Sequence, residues 1–199
     1  GLSEKILSDL KINTRLAFVK HRLGQTFKAN YNLYDMAQDT VALIENLGLR
    51  SCHLVGASMG GMIAQIIAAK YPQTVDSLNL IMTSTNSPRQ ALPKLQVLKQ
   101  FAEMRGTAST PEEAQERGLQ LWRTIQSPGY PKSDDSLRDM VNKNYLRSHR
   151  PDGVVRQLQA MLATGSISHL LPDIIAPTML IHGKQDPLLH PKNARQIAS

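Results

Sequence analysis

The sequence predicts an α/β fold, a mostly parallel sheet flanked by helices with a helical segment inserted between two strands. Three observations predict it. Between residues 32 and 82 a helix-like run, a short apolar run, a glycine-rich turn, a second helix-like run and a second apolar run follow one another. Residues 86–169 then carry only helix-like periodicity, broken by prolines and glycines. A third β-favouring run, Thr178 to Ile181, restores the alternation.

The first 31 residues are polar and basic without a clear period, and read as loop with a short helix. Asn32 with Asp35 three residues on has the form of a helix cap, and Met36, Ala37, Val41, Ile44 and Leu47 recur on one face until Gly48. Cys52 to Val55 reads as a buried strand, Met62 to Lys70 as a helix stopped near Pro72, and Leu78 to Met82 as a second buried strand. In the helical segment, three faces are expected to pack: Val97, Phe101 and Met104; Leu119, Leu121 and Trp122; and Val154, Val155, Leu158, Met161 and Leu162. A last helix is expected from Pro191 to Ser199. The expected division is a core from 1–85 and 170–199, with a cap from 86–169.

Bulk properties narrow the function classes. The net charge of +7 comes from Lys and Arg scattered among acids rather than gathered in a stripe, so it describes a solvated basic surface and not a nucleic-acid interface. No apolar run approaches the roughly 20 residues that span a bilayer, and no membrane partner is expected. Cys52 is the single cysteine, which excludes an internal disulfide, fits a reducing, cytoplasmic setting, and reads as a small buried residue. The six histidines form no metal-ligand spacing with acids or cysteine, so no metal is expected. The chain begins at Gly1 and stops at Ser199 within a helix-like run, and both ends read as cut.

The chemistry-bearing segment is Gly56-Ala57-Ser58-Met59-Gly60, set between a strand-like and a helix-like run. A serine on a sharp strand-to-helix turn is held in strained backbone with its hydroxyl outward, the arrangement of a nucleophile elbow. Glycines on either side spare the turn a Cβ where strand and helix pass closely, and Gly61 extends that allowance. The Met59 N–H, at the start of the helix, would face a developing oxyanion in the positive field of the helix N-terminus. Three fixed positions match by chance in about one chain of this size in fifteen. The flanking strand and helix, and an acid far downstream, are separate requirements that this chain meets.

That acid is Asp186 in Gly183-Lys184-Gln185-Asp186-Pro187, just beyond the third strand, at the sheet edge where ligands gather. Alone, an aspartate before proline is an ordinary turn residue. Paired with the elbow it becomes the second catalytic candidate.

With these residues placed, the chain resembles proteins of the α/β-hydrolase fold, and among them the esterases related to aclacinomycin methylesterase. The likeness lies in Leu33-Tyr34-Asp35-Met36-Ala37, in His53 to Met62, in Gly153-Val154-Val155-Arg156-Gln157-Leu158, and in Ala176 to Gly183 running on to Asp186-Pro187. Gly1-Leu2-Ser3 resembles the end of a loop after an early strand. The resemblance implies a serine hydrolase acting on a small-molecule carboxylic ester through an acyl-enzyme on Ser58, with Asp186 as acid and no cofactor. It also implies a His-Gly segment ahead of the chain and a base histidine beyond it. Neither is in this sequence, so the incomplete fold is expected to be inactive by itself. His182, on the third strand, and His53, just ahead of the elbow, fall outside the triad; His190 follows Asp186 too closely to be its base. Sister chemistries on the same triad, lactonase, thioesterase, aminopeptidase or perhydrolase, stay open, as does a non-catalytic binding protein of this fold. The oligomeric state has no signature in the sequence.

Overall fold

The computed structural model describes residues 12–103, 108, 110–148 and 151–199. Three strands, β1 (Cys52–Ala57), β2 (Val75–Ile81) and β3 (Thr178–Ile181), form a parallel sheet in the order β1-β2-β3. Ala57, Ile81 and Ile181 lie in register, so all three strands end at one common edge. β1 runs past the expected Val55 because Gly56 and Ala57 still pair with Leu80 and Ile81. β2 begins at Val75 rather than Leu78 and ends at Ile81; the Met82 N–H still donates to the Ile181 carbonyl, but its φ of 41° turns the chain out of the strand.

Residue alternation assigns the two sides of the sheet. Leu54, Leu78, Leu80 and Leu180 face a core shared with Leu33, Ala37, Val41, Met62, Ile66 and Ile67 of the helices α2 (Leu33–Asn46) and α3 (Met59–Lys70). On the alternate positions Val55, Met179 and Ile181 are 68%, 56% and 48% exposed. Burying a leucine or isoleucine of this core contributes about 2 kcal/mol, which makes the α2–α3–sheet sandwich the main source of stability among the described residues.

The cap of α2 forms as expected, as a full capping box. The Asn32 side chain accepts from the Tyr34 and Asp35 N–H groups, and the Asp35 carboxylate accepts from the Asn32 N–H at 2.8 Å. Leu47, expected on the buried face, is 64% exposed, because the helix ends at Asn46 and Gly48 at φ 70° turns the chain away. Ahead of α2 the polar N-terminal stretch holds α1 (Thr14–Arg22), capped by the Asn13 side chain. Gly1-Leu2-Ser3 lies outside the described residues.

Between β2 and β3 stand α4 (Leu95–Glu103), α5 (Pro111–Ile125), α6 (Asp134–Arg147) and α7 (Pro151–Thr164). Thr110 and Ser133 cap α5 and α6, and each helix carries acids in its first turn. Val97 and Leu119 are buried as expected; Met104 and the Phe101 side chain lie outside the described residues. The expectation for α7 needs correction. Val154, Val155 and Leu158 are exposed, and among the described side chains the buried ones, Gln159, Ala160 and Leu162, fall in the second half. That half is where α1 and α2 meet it: the Gln159 amide donates to the Ile12 carbonyl and Thr14 Oγ1, and Thr164 Oγ1 accepts from the Leu33 N–H.

The entry and exit of this helical segment meet at Asn86. In the left-handed region at φ 53°, it donates from Nδ2 to the Met161 and Gly165 carbonyls at 2.6 and 2.8 Å, while the Ile167 N–H donates to the Thr85 carbonyl. A short helix, α8 (Lys192–Ala198), follows β3. Among the described residues no helix is long and apolar enough to cross a membrane.

Candidate active site

Ser58 is the single residue between β1 and α3, with φ 52° and ψ −121°. An L-residue there is strained by about 1–3 kcal/mol and persists only if its surroundings over-determine it. They do so from both sides. The Ser58 N–H donates to the Ile81 carbonyl at 3.0 Å, continuing the β1–β2 ladder, and its carbonyl accepts from the Gly61 and Met62 N–H groups and from Thr83 Oγ1 at 2.6 Å. Helix α3 begins at Met59 rather than Met62, so the Met59 N–H lacks an intrahelical acceptor and sits in the positive end of the helix field.

The glycines divide differently from the sequence expectation. A Cβ on Gly56 would stand 2.5 Å from the Gly60 carbonyl oxygen, and one on Gly61 2.6 Å from the Thr83 Cβ. A Cβ on Gly60 would meet nothing within 4 Å. The close approach of strand and helix therefore needs Gly56 and Gly61, and Gly60 has no steric role in the turn.

Thr83 and Gln65 are site-building residues that the sequence reading missed. Gln65 is fully buried and donates from Nε2 to the Gly61 and Ser84 carbonyls, tying the first turns of α3 to the segment leaving β2. No local pattern marks either residue; their roles exist only once β2 lies beside β1.

Asp186 lies in the loop after β3, at the same edge of the sheet as Ser58. With β2 between β1 and β3, the two loops leave the sheet two strand spacings apart, about 10 Å. Asp186 Oδ1 accepts from the Leu188 and Leu189 N–H groups, both at 2.8 Å. His182 is one residue past the strand rather than on it. Its Nε2 is 2.7 Å from the Leu189 carbonyl oxygen and 3.4 Å from Asp186 Oδ2.

The remaining titratable groups are placed elsewhere. His53 is exposed on β1 and its Nδ1 pairs with Ser77 Oγ across the strands; His190 Nδ1 accepts from the Lys192 N–H. Cys52 is half-buried rather than buried, with Sγ 3.8 Å from the Thr74 carbonyl oxygen. Burial, and then Asp76, push its thiol up, away from thiolate character. Among the described residues no three His, Cys, Asp or Glu side chains gather as metal ligands. A cavity of about 270 Å³ opens between the α5–α6 connection and the acid loop, lined by Lys94, Arg123, Gln126, Gln185 and Pro187 among others; Ser58 is not in its wall.

A strained serine between a parallel strand and a helix, with a loop carboxylate at the same sheet edge, is the arrangement of one large family, and the family model of the α/β hydrolase fold matches residues 8–199. The chain belongs to the α/β-hydrolase family. A Pseudomonas 2-hydroxy-6-oxononadienedioate/2-hydroxy-6-oxononatrienedioate hydrolase is 27% identical over 163 residues, covering 75% of this chain and 52% of that protein. The rhodomycin D methylesterase of Streptomyces peucetius is 23% identical over 186 residues, covering 85% of this chain and 62% of that protein. Among solved structures, the enol-lactonase of Burkholderia xenovorans superposes with a TM-score of 0.64 at 18% identity, over 87% of this chain and 63% of that one. This α/β-hydrolase chain thus spans little more than half to under two thirds of the length of these relatives.

Proposed function

We propose that the whole protein is a serine hydrolase that cleaves a small-molecule carboxylic ester through an acyl-enzyme on Ser58. The observation that carries this reading is the Ser58 backbone, φ 52° and ψ −121° at a strand-to-helix turn, on the sheet edge that also carries Asp186. Strain of this size, braced by Thr83 and two glycines, has a use if it presents a hydroxyl.

In the proposed reaction Ser58 Oγ attacks the ester carbonyl and gives its proton to a histidine supplied from outside these 199 residues. Asp186 accepts from that imidazole through Oδ2, orients it, and stabilises the imidazolium. The Met59 N–H donates to the oxyanion, an interaction whose loss costs about 3–4 kcal/mol of transition-state stabilisation. The alcohol departs with the proton from the imidazolium, and water releases the acyl group by the reverse relay. The helices α4–α7 act as a cap over this edge, and the setting is cytoplasmic. The names of relatives, a methylesterase among them, support an ester substrate.

Fluorophosphonate labelling of the whole protein tests the reading. Labelling at Ser58, abolished by Ser58→Ala together with hydrolysis of short methyl esters, is expected. An unlabelled, folded protein would instead mark a binding protein on this fold. Residues 1–199 alone are expected to show no Ser58-dependent turnover.

A further inference from the structure

We infer that His182 is a positioning residue for Asp186: its Nε2–H locks the acid loop so that a single carboxylate oxygen, Oδ2, is offered to the base imidazole. The inference rests on Asp186 serving as the acid, and adds to that reading a role for a residue that the sequence analysis sets outside the triad.

The two oxygens of Asp186 are in different situations. Oδ1 is engaged by two backbone donors, the N–H groups of Leu188 and Leu189. Among the described residues Oδ2 has no backbone donor, and the His182 ring is its neighbour at 3.4 Å. The loop thus holds the carboxylate by one oxygen and presents the other.

His182 secures the far side of the same loop. A carbonyl only accepts, so the 2.7 Å contact with the Leu189 carbonyl requires the proton on Nε2. Leu189 is then gripped twice, its N–H by Asp186 and its carbonyl by His182. Oδ2 lies 3.4 Å from the same Nε2, too far for a strong hydrogen bond, so His182 neighbours that oxygen without occupying it. The His182 and Asp186 side chains are only 6% and 13% exposed.

With the proton on Nε2, Nδ1 of the neutral ring is a bare acceptor, and it is buried without a partner among the described residues. An orphaned polar atom weakens the fold where an apolar side chain of similar size would pack. A histidine at 182 is therefore poorly explained as packing, and well explained as a ring whose Nε2 reaches the Leu189 carbonyl.

The test compares side chains of equal polarity and different reach in the whole protein. The Gln amide nitrogen can stand where Nε2 stands; the shorter Asn cannot. His182→Gln is expected to keep kcat within about threefold, and His182→Asn to lower it tenfold or more with KM within twofold, the signature of lost orientation rather than lost binding. Equal kcat for the two variants, or a loss of KM alone, overturns the inference. In the unsubstituted protein, long-range proton–nitrogen spectra of the imidazole should show the Nε2–H tautomer, and an Nδ1–H tautomer overturns it even if a variant fails to fold. Asp186→Asn separates the two readings. If it leaves turnover intact the acid assignment fails; if it abolishes turnover while His182→Asn is neutral, only the positioning role fails.

Discussion

The elbow and the acid loop lie at one edge of the sheet but are held by opposite means. The elbow is shaped by what is missing: Gly56 and Gly61 let backbone approach backbone, and any Cβ would collide at 2.5–2.6 Å. The acid loop is shaped by what is present: Asp186 gathers two N–H groups and His182 takes a carbonyl. A steric site tolerates polar change and fails on added volume, whereas a polar site keeps its form under isosteric change and fails when donors or acceptors are removed.

The largest expected effect breaks the chemistry while leaving the loop in place. Asp186→Asn keeps an oxygen for the Leu188 and Leu189 donors, yet should lower turnover of the whole protein by about 10⁴-fold, because an amide cannot hold the imidazole tautomer or stabilise its charge. Steady-state kinetics beside a thermal melt would check that activity and stability part company. Asp186→Ala should in addition cost about 2–3 kcal/mol in denaturant titration, since it strands two partly buried donors.

Next in size are the glycines. Gly61→Ala and Gly56→Ala should each cost about 3 kcal/mol, with the strand or Thr83 forced aside. Gly60→Ala, one position away in the same turn, should be neutral or stabilising by up to about 1 kcal/mol, as alanine is the better helix former and its Cβ meets open space. Similar costs at all three positions would show that the turn is limited by backbone conformation and not by contact. Thr83→Val, which keeps the shape and removes the bond to the Ser58 carbonyl, should cost about 1 kcal/mol and locate the polar share of the elbow's support.

The smallest effect is a pH dependence far from the edge. Burial holds His21 of α1 below its usual range, with Arg22 adding to the shift and a hydrogen bond to the Leu162 backbone opposing it. The folded state then prefers the neutral ring. Its contribution is complete above the unfolded value of about 6.5 and is lost as pH falls toward the lowered folded pKa. Denaturation midpoints from pH 7.5 to 5 should decline in the wild-type chain, and less steeply in His21→Gln.

Much of this was legible in the residues themselves. The Asn32–Asp35 capping box and the Thr178 to Ile181 strand follow from local chemistry and short periods, which act over a turn or two of chain. The sharp turn at Ser58 follows as well, because few sequences other than glycine-flanked ones permit a strand to enter a helix within one residue. Three features were not legible. On α7 Gln159, Ala160 and Leu162 are buried while Val154, Val155 and Leu158 are exposed, because α1 and α2 meet the helix at its second half, and a helical stripe carries no record of where its neighbours stop. Gly61 rather than Gly60 is the sterically required glycine because Thr83, more than twenty residues on, comes to rest against it. His182 reads as a strand residue until the chain folds back and brings the Leu189 carbonyl to its ring. The sequence by itself thus determined the order of elements, the strained serine and the family. The tertiary structure alone decided that Gly61 rather than Gly60 must lack a Cβ and that the His182 ring meets the Leu189 carbonyl, because such contacts depend on how segments fold back onto one another and leave no mark in the local residue pattern.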